Sequence, residues 1–143
     1  RFEYERTGAE WNTVVQNLEQ FKNLRTEYKN VSLIICSTVS AYNVLYLDQI
    51  AKWRDEQQFD VKHWNILHEK TALSITSLPS NAKQIVTQKL LSNNKSEFES
   101  IVNFMNNTDT STQALINDIQ LLDQRRNESL EKVFPELNQL MQR

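Results

Sequence analysis

One glycine and two prolines in 143 residues leave this chain few tight turns, and so predict a mostly helical protein. A single cysteine, Cys36, excludes an internal disulfide, and one thiol cannot by itself hold zinc or an iron–sulfur cluster. No apolar run is long enough to span a bilayer, and no charged-then-apolar signal sequence opens the chain. Lys and Arg number 16 against 18 Asp and Glu, which leaves no basic footprint for nucleic acid and no case for a membrane surface. The expected compartment is the cytoplasm. Also absent are a Gly-rich phosphate loop, a Gly-x-Ser-x-Gly elbow and a His-Glu-x-x-His metal motif.

What is present suits a globular domain with its own core: 39% hydrophobic and 24% charged residues. The chain starts at Arg1 without a methionine and reads as a segment of something longer. Its most informative stretch is Val31 to Leu47. Val31, Leu33, Ile34 and Ile35 form a short β-branched run, expected as a strand buried on both faces of a parallel sheet, with Cys36 as an inert core thiol. Ser37, Thr38 and Ser40 follow, and Asn43 stands before Val44 and Leu45 as a helix N-cap. Strand, polar turn and helix make half of a βαβ unit, whose ligand-binding groups sit at the strand's carboxyl end.

Around this stretch the periodicity predicts an amphipathic helix over 9–28, with Trp11, Val14, Val15, Leu18, Phe21, Leu24 and Tyr28 inward. It predicts a helix over 42–58, a strand over 61–68 with His63 and Asn65 on one face and Trp64 and Ile66 on the other, and a weaker third strand over 72–78. Only helices follow, the last opened or kinked by Pro135. Among candidate sites, Arg6 precedes the only glycine and a helix start, where a guanidinium and free N–H groups suit a carboxylate or phosphate. His63 and His68 fall on opposite strand faces, and Glu69 beside His68 is an acid–base pair by adjacency alone. Asp123, Arg125 and Arg126 read as a solvated charge run.

Taken in order, EYERTGAEW at 3–11, STVSAYNVLYL at 37–47, NIL at 65–67, LP at 78–79, and LDQRRNES with FPEL near the end form a recognisable set of phrases. They resemble the carboxyl-terminal half of twitch-domain radical SAM proteins, a branch close to the SPASM-type peptide-modifying enzymes. The resemblance implies an α/β fold. Residues 1–92 would be the last units of a partial (β/α)₆ TIM-like barrel with two to three parallel strands, and 93–143 an all-helical extension.

It also implies an enzyme that cleaves S-adenosylmethionine reductively at a [4Fe–4S] cluster, yielding a 5′-deoxyadenosyl radical that abstracts hydrogen from a peptide, protein or other macromolecule. By that likeness Arg6 would meet the cosubstrate carboxylate, Ser37, Thr38 and Val39 its ribose and adenine, and Asn43 would cap the next helix. The cluster's cysteines are not among these residues, so this chain alone is expected to be inactive and to bind neither group. Its exposed sheet edge invites homo-oligomerisation. The competing reading is a non-catalytic, mostly helical interaction module.

Overall fold

In the computed structural model, which describes residues 1–68, 72–92, 96–107 and 110–142, the chain runs α1 (Phe2–Glu5), α2 (Trp11–Glu27), β1 (Ile34–Val39), α3 (Leu47–Glu56), β2 (Val61–Ile66), α4 (Ser80–Leu91), α5 (Glu99–Asn107), α6 (Thr112–Arg126), α7 (Leu130–Val133) and α8 (Pro135–Met141). Strands β1 and β2 pair in parallel, Ile34 opposite Val61 and Val39 opposite Ile66. Parallel neighbours require a crossover, and α3 supplies it through a 3₁₀ turn at Val44–Tyr46. The half unit read in the sequence is thus a whole βαβ.

The sheet stops there. Among the described residues it holds two strands in a mostly helical body, which overturns the expected partial (β/α)₆ barrel. The reason lies in the segment expected as a third strand. Residues 72–78 are rich in hydroxyls that satisfy the local backbone instead of a ladder: Ser74 Oγ accepts the Thr76 N–H, and Ser77 Oγ donates to Ala72 O at 2.9 Å. A 3₁₀ turn at Ile75–Ser77 results, and Pro79 closes it before α4.

Nor is β1 buried on both faces. Ile35, Ser37 and Val39 turn toward the helices, while Ile34 is 61% exposed and Cys36, in register with His63, is exposed too. The strand after α3 shows the expected split: Trp64 and Ile66 pack on the core and His63 and Asn65 face out. In α2 the apolar face is only half used, with Leu18 buried but Phe21, Leu24 and Tyr28 exposed.

One hydrophobic cluster runs from Tyr4 through Val39 to Leu47 and on to Leu140. At its centre Phe134, fully buried, meets the rings of Tyr4, Tyr42 and Tyr46 at centroid distances of 5.6, 6.1 and 5.8 Å. The chain reaches that point through two local signals. Asn127, at φ 51°, ends α6 in the left-handed region that Asn tolerates, and Pro135 occupies the first turn of α8, where its missing N–H costs nothing. Among the described residues no helix is long and apolar enough to cross a membrane.

Phe134→Ala should therefore lower the unfolding free energy by about 3–5 kcal/mol in urea titrations followed by circular dichroism, whereas exposed Phe21→Ala should change it by less than about 0.5 kcal/mol.

Candidate functional site

The polar end of β1 is held by one side chain. Asn43 Oδ1 accepts the Ser40 N–H at 3.0 Å, and its Nδ2 donates to Thr38 O at 2.9 Å and to Glu5 Oε2 at 2.8 Å. Such a bond pattern closes a turn on itself, as short Asx side chains do. Asn43 stands at the N-terminal boundary of the 3₁₀ turn, but its side chain makes no cap bond there, which corrects the expected helix-capping role.

Glu5 belongs to α1, a four-residue helix fixed by Tyr4. The Tyr4 ring is buried, its hydroxyl donates to Asp123 Oδ1 at 2.8 Å, and its carbonyl accepts from Arg126 Nη1 at 3.1 Å. Asp123 Oδ2 also accepts the Leu130 N–H. Asp123 and Arg126 are thus structural ties rather than a solvated charge run. Burial and the Asp123 bond push the Tyr4 hydroxyl far above its usual range, so it stays a donor.

After α1 the chain turns through Gly8, whose φ of +83° lies in the region glycine enters freely. The start of α2 does not lie open to an anion: Glu3 Oε1 accepts the Trp11 N–H at 3.1 Å, and backbone bonds hold the Glu3 carboxyl below its ordinary value. Arg6 is exposed and lies beside Glu5, and its side chain makes no hydrogen bond among the described residues.

These parts surround a cleft of about 550 Å³ between α1, α2, α3 and β1. Arg6, Ser37, Thr38 and Asn43 all line it. Val39 does not; it has no exposed surface and packs in the core. Sequence reasoning missed Phe2, Glu5 and Trp53 as lining residues, and took Trp11 for a core residue only. Their rings form a file, Phe2 to Trp11 and Trp11 to Trp53 each at 5.2 Å between centroids. At one end the Arg1 guanidinium lies 3.7 Å above the Tyr46 ring and donates to Gln49 Oε1. Aromatic walls, a free guanidinium and hydroxyls suit a ligand with a flat ring at one end and an anionic group at the other.

The histidines play no part in the cleft. His68 packs edge-on against Phe104 at 4.8 Å, His63 is exposed, and Glu69 lies outside the described residues. Among the described residues no group of three or more His, Cys, Asp and Glu side chains is placed to hold a metal ion. No protein-family model matches this chain, and comparison with curated proteins and with solved structures finds no match either.

Burial raises the Glu5 carboxyl above its ordinary value, against the opposing pull of the Asn43 bond. A group raised on folding adds stability below its unfolded pKa and loses it as pH climbs through the folded one. Glu5→Gln keeps an acceptor for Asn43 without the buried charge. It should match the parent chain in urea stability near about pH 3 and exceed it near about pH 7.

Proposed function

We propose that this chain is the carboxyl-terminal part of a twitch-domain radical SAM enzyme acting on a peptide, protein or other macromolecule, and that its cleft receives S-adenosylmethionine. The observation that carries the reading is that Arg6, from the first segment of the chain, lines the same cleft as Ser37, Thr38 and Asn43 at the end of β1. Its volume lies within the range of about 300–1,000 Å³ common to small-molecule sites.

The residues present fit the cosubstrate. Arg6, whose guanidinium neighbours Glu5 but makes no hydrogen bond among the described residues, is available to bind a carboxylate, and the file of Phe2, Trp11 and Trp53 offers flat surface to an adenine. Ser37 and Thr38 bring hydroxyls to the strand end. Asn43, with both ends of its amide engaged, positions the turn and Glu5 rather than binding. Val39 is fully buried in the core and its side chain takes no part in the cleft. When bound, the cosubstrate would supply a sulfonium whose reductive cleavage initiates hydrogen abstraction.

A [4Fe–4S] cluster does not fit the residues present, since the chain has one cysteine and a cluster needs three or four ligands. No step through it is assigned to these residues. The second reading, a non-catalytic interaction module, is favoured by the exposed Phe21, Leu24 and Tyr28 of the α2 segment.

Two measurements decide between them. Coding sequence in frame ahead of Arg1 should contain a Cys-x-x-x-Cys-x-x-Cys run; a frame that opens with methionine directly before Arg1 would leave only the interaction module. In the full-length protein, Arg6→Ala should weaken S-adenosylmethionine binding about tenfold or more by calorimetry, the worth of a charge-assisted bond. Unchanged affinity removes Arg6 from the site.

A further inference from the structure

Four charged side chains line the cleft, Arg1, Glu3, Glu5 and Arg6, and two of them are already engaged. The Arg1 guanidinium lies over the Tyr46 ring at 3.7 Å and donates to Gln49 Oε1, and Glu3 Oε1 accepts the Trp11 N–H that opens α2. Glu5 and Arg6 are different. Glu5 closes α1 and Arg6 follows it, near enough for the guanidinium to act on the carboxyl. Yet among the described residues the two form no ion pair with each other or with any other side chain.

Glu5 is also only half used. Its Oε2 accepts from Asn43 Nδ2 at 2.8 Å, while Oε1 has no hydrogen-bond partner among the described residues. That one bond fixes the carboxylate against the turn after β1, because Asn43 is itself tied to Thr38 O and the Ser40 N–H. A group held in place before a ligand arrives gives up little side-chain freedom when it binds. The charge is kept against the interest of the fold: burial opposes it, and the uncharged Glu5→Gln side chain is expected to be the more stable near about pH 7. A half-buried carboxylate that folding alone does not favour points to a contact made when a ligand is present.

Two opposite charges side by side, each with spare capacity, match a ligand that carries both charges on neighbouring groups. An α-amino acid group does so, its ammonium and carboxylate being attached to one carbon. The Arg6 fork suits the carboxylate, and Glu5 Oε1 is free to accept from the ammonium. A ligand with a carboxylate alone would set like charge against Glu5, and one with an ammonium alone would leave Arg6 unmatched. Beyond the pair, Phe2 of α1 and Trp11 of α2, 5.2 Å apart between ring centroids, continue the wall along which the rest of the ligand would lie.

We propose that Glu5 reads the α-ammonium of the bound ligand and, with Arg6, makes the cleft selective for molecules that end in an α-amino acid group. This selectivity rests on the cleft receiving S-adenosylmethionine, and it adds the residue that tells the amino acid end of that molecule from a plain carboxylate.

Calorimetry on the full-length protein with S-adenosylmethionine and with its desamino analogue, in which hydrogen replaces the α-amino group, tests it. The parent protein should bind the analogue about tenfold or more weakly than the cosubstrate, as loss of a charge-assisted hydrogen bond requires. Glu5→Gln should lower S-adenosylmethionine affinity by a similar factor and leave that for the analogue unchanged or tighter, so that the two ligands bind alike. Urea titration of the same variant, expected to be at least as stable as the parent, separates lost binding from lost structure. Equal loss for both ligands would overturn the proposal, since Glu5 would then act only by holding the turn. So would equal affinities in the parent, or an unchanged preference in the variant. In each of those cases the cosubstrate still binds and the reading of the cleft stands. If the parent binds neither ligand, that reading falls and the role of Glu5 falls with it.

Discussion

Helix α1 has only four residues, far too few to hold itself together in water, yet it carries Glu5 and leads directly into Arg6. It is held by Tyr4. That ring packs edge-on against both Tyr42 and Phe134, its hydroxyl reaches Asp123 and the Tyr4 carbonyl accepts from Arg126. The cleft on the β1 side is therefore shaped by helices α6 to α8 at the far end of the sequence, which grip the first helix and set its charged residues against the strand. A long-range aromatic contact with two hydrogen bonds at its rim does what local helix propensity cannot.

From that anchor the site follows by short steps. With α1 fixed, Glu5 meets the Asn43 amide, which also ties Thr38 to Ser40 and closes the turn after β1. The turn then leads into an unbroken buried run from Ala41 to Leu47, so the strand end cannot drift relative to the core. Rigid support below and open surface above is the arrangement binding sites need.

Much of this was legible in residue order. The strand, polar turn and helix from Ile34 to Glu56 were readable from β-branched residues giving way to hydroxyls, and Pro135 from its suitability for a first helical turn. Arg6, Ser37, Thr38 and Asn43 were singled out and do share a cleft. Val39 was not separable from them, because it shares a strand face with Ser37 and only the tertiary core that covers it takes it out of the cleft. Asp123 and Arg126 looked like surface charge because their partner, Tyr4, is more than a hundred residues away. The third strand failed for a local reason, since Ser74, Thr76 and Ser77 offered the backbone bonds that a ladder would have had to outcompete.

By itself the sequence determined the order of strand, polar turn and helix from Ile34 to Glu56, the first turn at Pro135, and that no residue set here resembles a standard catalytic motif, because those are consequences of near neighbours along the chain. Only the tertiary structure decided how many strands join the sheet, which face of β1 and which flank of α2 stay open, and that Glu5, Trp11 and Trp53 wall the same cleft. Such outcomes depend on competition among distant surfaces for burial and for hydrogen-bond partners, and that competition is settled in space rather than along the chain.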